Sequence, residues 1–147
     1  CLRIFPSFVR LPFHPFYWEE ILNAANALGL PLIVDYEYND EFFCNMPEIS
    51  VRYPNVKFIL IRQGCCQGRR ILPLLQKREN VYFTIERMLD NLQLEEIEEK
   101  CGSDKLLFGC GYPERPVTGA LGLVLYADIA AESREKVLYK NWEGMTK

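Results

Sequence analysis

Residues 106–114 read L-L-F-G-C-G-Y-P-E: a short apolar run, Cys110 between two glycines, and the start of a Pro-containing loop. The run at 106–108 is the last of five. Apolar, β-branched or aromatic runs also occupy residues 2–5, 30–34, 56–61 and 81–85, and successive starts lie 28, 26, 25 and 25 residues apart. Runs that are apolar throughout, without alternation, are what parallel strands look like when both faces are covered. A strand recurring at this interval with a helix between points to a barrel or a doubly wound sheet.

The intervening segments carry helical spacing. In the first, Trp18, Ile21, Leu22, Ala25 and Leu28 share one face and Gly29 follows as a stop. Ile71, Leu72, Leu74 and Leu75 mark another, with Pro73 expected early in its helix. A further one runs through Leu94, Ile97 and Cys101 to Gly102, and two helices, roughly 119–130 and 132–142, close the chain. Phe13, Phe16, Tyr17 and Trp18 are expected to pack in the core at the start of the first helix, as aromatic residues usually do.

Composition narrows the function classes. The chain has 147 residues, enough for one domain with a substantial core. A net charge of −3, with no stripe of Lys and Arg, gives no field for nucleic acid. No apolar run reaches the roughly 18 residues of a membrane span. The irregular spacing of Cys1, Cys44, Cys65, Cys66, Cys101 and Cys110 within an α/β pattern argues against a disulfide framework, so a reducing, cytoplasmic setting is expected. Cys44, Cys65, Cys66 and Cys110 all follow strands; separate thiols are the preferred reading and a thiolate metal site the alternative.

The stretch at 106–114 resembles the last-strand motif of the amidohydrolase superfamily, in its amidohydrolase-2 branch, usually L-F-G-S-D-Y-P. Other segments resemble the same family in order: R-I-F-P at 3–6 its fourth-strand entry, A-L-G-L-P at 27–31 the lead into strand five, Y-P-N-V-K at 53–57 the approach to strand six, N-V-Y at 80–82 the start of strand seven, and E-S-R-E-K-V-L at 132–138 with Asn141 the terminal helix. Trp142 departs from the Ala that usually follows that Asn. The resemblance spans nearly the whole chain. It implies a partial (β/α) TIM-type barrel: five consecutive parallel strands, equivalent to strands four to eight, with helices outside. A closed eight-fold barrel needs about 250 residues, so the chain is read as the C-terminal portion of such a barrel, one domain over 1–147, whose first three strands are absent. The expected completion is a missing N-terminal half or a second copy. A doubly wound sheet is the structural alternative, distinguished by a strand order that reverses at a switch point.

The family's metal-ligand positions are where this chain departs. Strand five normally ends P-v-l-i-H; here residues 31–35 read P-L-I-V-D, so Asp35 stands in place of the His. Strand six normally carries l-a-H-x-G; residues 60–64 read L-I-R-Q-G, so Arg62 replaces the second His. Gly111 replaces the strand-eight Asp, which in the family serves as metal ligand or base. The one His, His14, matches no ligand position. A catalytic zinc site needs about three protein ligands and an open position. Aspartate can coordinate, but arginine has no lone pair to give. A guanidinium ~4 Å from a divalent ion would be repelled by about 8 kcal/mol at an effective dielectric near 20.

The resemblance therefore implies a zinc- or other divalent-metal-dependent hydrolase, while the residues present lead us to expect no metal and no cofactor. Candidate site positions are Asp35, Arg62 and Gly111. Glu37, Glu86, Glu114 and Arg115 are candidate binding residues on the strand-to-helix side, where such barrels carry their sites. Asp35 and Arg62 are expected to pair, directly or through Glu37 or Glu86, with the guanidinium supplying the positive charge of the lost cation. The alternative is an Arg62 that points to solvent. Three functions stay open: a non-catalytic or ligand-binding relative that has lost its metal, an enzyme whose rearranged carboxylate and arginine site takes a small anionic substrate or another metal, and a structural or interaction module with a filled mouth. An open pocket favours the second, a packed mouth the other two.

Overall fold

A computed structural model describes residues 1–35, 40–62, 68–88, 90 and 92–146. Strands β1 (Leu2–Ile4), β2 (Pro31–Asp35), β3 (Lys57–Ile61), β4 (Val81–Thr84) and β5 (Leu106–Leu107) alternate with helices α1 (Pro15–Leu28), α2 (Asp40–Arg52), α3 (Gly68–Lys77) and α4 (Gln93–Cys101). Helix α5 (Val117–Tyr126) follows β5, and α6 (Ala131–Glu135), a π-helical turn (Lys136–Lys140) and α7 (Asn141–Thr146) end the chain. All strands are parallel, in the order β1-β2-β3-β4-β5. The order never reverses, so this is the consecutive arc of a barrel and not a doubly wound sheet.

Register sorts the side chains into two faces. Val34, Leu60, Phe83 and Leu106 lie side by side across four strands, as do Leu32, Phe58 and Val81. These residues pack with Leu22, Met46, Ile49, Ile71, Ile97 and Val124 of the helices into the main core. The intervening row, Ile33, Ile59 and Tyr82, faces the other way. There Ile59 and Leu107 form a smaller cluster with Met145 of α7. The period of two in a strand is what separates the rows.

Side-chain amides tie the elements at their N-terminal side. Asn80 Nδ2 donates to the carbonyls of Ser50, Tyr53 and Val56, and Asn141 Nδ2 to those of Ser103 and Leu106. Gly29 takes φ 61°, and its N–H closes α1 on Ala25 and Asn26; the left-handed region suits glycine at this cap.

Several expectations are corrected. Pro73 lies inside α3, not early in it, because the helix begins at Gly68. Ile21 and Leu28 are exposed; the buried face of α1 is Trp18, Leu22 and Ala25, and Leu28 is the last helical residue before the turn. Phe13 and Trp18 are buried, but Phe16 and Tyr17 stand in solvent as an edge-to-face pair, since the buried face of α1 runs through Trp18, Leu22 and Ala25 and they lie off it. The closing helix runs unbroken over 131–146 and contains a π-helical segment, Lys136–Lys140; Val137 enters the core from it while Asn141 reaches β5.

Candidate functional site

Parallel strands deliver all their C-terminal ends to one side, and the charged candidates gather there. Asp35 is the last residue of β2, Arg62 the first after β3, and Glu86 lies two beyond β4. Arg3, on the inner face of β1, completes the group across the register pair Arg3 and Ile33. Asp35 is nearly buried and held from two sides: Arg3 Nη2 donates to Oδ2 at 2.7 Å, and Arg62 Nε lies 3.2 Å from Oδ1.

Arg62 is the hub. Besides Asp35, its Nη2 donates to Glu114 Oε1 at 3.0 Å, and its backbone N–H donates to Glu86 Oε1. One residue thereby joins β2, β4 and the loop after β5. Its backbone sits at φ 61°, a conformation costing a non-glycine residue about 1–2 kcal/mol. Such strain persists only where the surroundings over-determine it, and three carboxylates do so here.

Gly111 also has positive φ, 71°. A Cβ at this position would lie 3.6 Å from Glu86 Oε2 and 3.6 Å from Arg115 Cδ. An aspartate there would carry both a strained backbone and a like charge beside Glu86. The backbone at 111 is shaped for a residue without a side chain.

Glu114 pairs with Arg62 and, at 3.9 Å, with Arg87. Arg115 donates its backbone N–H to Gly111 O, closing the turn. Its partly buried guanidinium makes no ion pair or hydrogen bond with any described residue. Arg3, Arg62, Glu86, Arg87, Tyr112 and Arg115 line an open cavity of ≈430 Å³, within the usual size range of small-molecule sites.

Asp35, Arg62, Glu86 and Glu114 thus form one connected network, with Gly111 and Arg115 beside it. Glu37, and the Cys65 and Cys66 pair, lie outside the described residues. Arg3 and Arg87 were not anticipated. The inward position of Arg3 beside outward Ile4 was the available signal; Arg87 offered none beyond following Glu86. Cys110 lines the mouth, whereas Cys44 is exposed. His14 caps α1, its Nδ1 accepting from the Phe16 N–H at 3.2 Å.

The donor set fits a divalent cation poorly. Among the described residues no three His, Cys, Asp or Glu side chains converge as a metal site would require. Both oxygens of Asp35 already face guanidinium groups, so an incoming ion would meet positive charge at the position where it needs lone pairs.

No family model and no curated protein sequence matches the chain. Solved structures do. An uncharacterized TIM-barrel protein from Bordetella bronchiseptica is similar with a TM-score of 0.74 at 19% identity, over 88% of this chain and 50% of its own. A 5-carboxyvanillate decarboxylase from Novosphingobium aromaticivorans, in complex with manganese and 4-hydroxy-3-methoxy-5-nitrobenzoic acid, gives 0.70 at 14% identity, covering 91% and 53%. An amidohydrolase II gives 0.60 at 19% identity, covering 88% and 56%. The fold is therefore amidohydrolase-like, and the chain spans about half the length of the structures it matches.

Proposed function

We propose that this is an amidohydrolase-related protein in which Arg62 stands where the superfamily holds its cation. In this reading the metal site and the standard metal-dependent hydrolysis are lost, and the mouth receives a small anionic molecule. The observation that carries it is the placement of the Arg62 guanidinium between Asp35 and Glu114, with its own N–H on Glu86. A fixed positive charge there can bind an anion electrostatically without lone-pair donors. The open cavity speaks against a purely structural module, whose mouth would be filled by its own side chains.

The test is direct. Calorimetric titration of the chain with Zn²⁺ or Mn²⁺ is expected to show no stoichiometric tight site. Binding of one ion per chain that Asp35→Asn abolishes would overturn the proposal.

The open cavity also favours a second reading, an enzyme with a rearranged site. Asp35 and Glu114 are both tied to guanidinium groups, but Glu86 Oε2 faces the mouth beside Gly111. Glu86 is then the residue able to take or give a proton. Since one similar structure is a decarboxylase holding an aromatic acid, turnover of a panel of aromatic carboxylic acids and lactones in excess chelator is the assay. Activity that Glu86→Gln removes would establish this reading over the first.

No helix among the described residues is long and apolar enough to cross a membrane. We place the protein in the cytoplasm, consistent with Cys1, Cys44, Cys101 and Cys110 being free thiols. Strands β1 and β5 each pair on one side only, and open edges invite further pairing. Completion by an N-terminal half or by a second copy belongs to the same proposal.

A further inference from the structure

We infer that a second compartment beside the mouth binds a short aliphatic monocarboxylate, with Arg115 as its anion anchor. This deepens the reading of the mouth as an anion site, on which it rests for the charge balance alone.

The compartment is a cavity of ≈260 Å³ between the ends of β4 and β5 and the first turns of α5. Ile85, Met88, Cys110, Pro116, Ala120 and Leu123 form its walls. Arg115 and Glu86 line both this cavity and the larger one, so the two communicate across these side chains.

Charge identifies the head of the ligand. Around the mouth the guanidinium groups of Arg3, Arg62, Arg87 and Arg115 face the carboxylates of Asp35, Glu86 and Glu114. Arg3 is matched by Asp35, Arg62 by Asp35 and Glu114, and Arg87 by Glu114. Glu86 Oε1 accepts the Arg62 backbone N–H. Three guanidinium groups thus share two carboxylates, so the mouth carries one positive charge in excess of its carboxylates, and Arg115 is the guanidinium that no carboxylate of the described residues pairs. A partly buried cation without a partner is unfavourable, and a carboxylate satisfies a planar guanidinium through two parallel hydrogen bonds. A cationic ligand would be repelled by the same group.

The walls identify the tail. They are aliphatic and thioether, with no aromatic ring to stack on a flat ligand. Met88 is an adaptable surface for a flexible chain. The volume lies just under the common range for ligand pockets, which starts at roughly 300 Å³, so the ligand is small. Gly119 also lines this cavity, and a Cβ added to it would meet nothing within 4 Å.

Hexanoate is the probe, and alkylation of Cys110, followed by peptide mass spectrometry on the full chain, is the readout. Hexanoate is expected to slow Cys110 modification about tenfold when present at roughly ten times its dissociation constant. Hexanol, with the same chain and no charge, and acetate, with the charge and no chain, should protect far less at equal concentration. Arg115→Gln should weaken hexanoate binding by about tenfold or more, and Arg115→Lys by less. Gly119→Leu leaves Arg115 in place and favours the helix; it should weaken hexanoate binding by occupying part of the cavity. Calorimetry with hexanoate should give the same ranking independently of the thiol. Equal effects of hexanol and hexanoate, hexanoate binding untouched by Arg115→Gln, or no hexanoate binding by either method would each overturn the inference. The metal titration above reads a different group and fails separately.

Discussion

The two faces of this sheet are built from the same strands, one residue out of step, and they do different work. The helix-side rows, such as Val34, Leu60, Phe83 and Leu106, are uniformly apolar and completely covered. The inner rows begin apolar at Ile33, Ile59 and Tyr82, then turn to charge at the strand ends with Asp35, Arg62 and Glu86. The first face is governed by area removed from water. The second is governed by pairing, so each charge there is defined by its neighbours. Stability and chemistry are thereby separated within a single layer of backbone.

Substitutions can break or sharpen this contrast. The largest effect should come from the helix side: Phe83→Ala removes a side chain with no exposure from the main core and should cost about 3–5 kcal/mol. Urea denaturation would measure it. A loss under 1 kcal/mol would mean that the helix layer is looser than its burial implies.

At the mouth, Gly111→Asp installs the side chain found at this position in the L-F-G-S-D-Y-P motif that residues 106–114 resemble. With φ at 71° and Glu86 Oε2 3.6 Å from the new Cβ, it should destabilise by about 1–3 kcal/mol and create no metal site. Denaturation combined with manganese titration checks both halves.

A smaller, more diagnostic difference concerns Arg62. Arg62→Ala and Arg62→Gly lose the same ion pairs, but only glycine is at ease at φ 61°. The glycine variant should therefore be the more stable of the two by about 1 kcal/mol. Equal stability would argue that the backbone relaxes once the side chain is gone.

The least effect should come from Tyr82 on the inner face. Burial, then the charges of Glu79 and Asp104, raise its phenol above the ordinary 10.0. A group whose folded value is raised contributes its stability fully below the unfolded value and loses it as pH rises through the folded one. Stability of the native chain should thus fall on the alkaline side of 10, and Tyr82→Phe should flatten that decline in a pH series of melting curves.

Most of the architecture was legible because it follows from periodicity. Five apolar runs at a near-constant interval became five parallel strands in consecutive order, and Gly29 and Gly102 ended helices as such glycines do. The network at the strand ends was legible through Asp35 and Arg62, since a residue closing a parallel strand has little choice of direction. What escaped depended on tertiary context. Arg3 joined the site through its register against β2, a long-range pairing that local pattern does not encode. Phe16 and Tyr17 looked like core by type, yet they lie off the face of α1 that Trp18, Leu22 and Ala25 bury. The π turn before Asn141 arose because two contacts, Val137 in the core and Asn141 on β5, had to be met at once. The unpaired guanidinium of Arg115 emerged only after every other guanidinium at the mouth had been assigned a carboxylate.

Met145 of α7 sits against Ile59 and Leu107, on the face of the sheet opposite the main core. Helix α7 is therefore a stopper over two apolar side chains of that face. Trimming the final three residues should leave the helix-side core intact while making the shortened protein sticky, visible as dye binding and precipitation under conditions where the full chain stays dissolved.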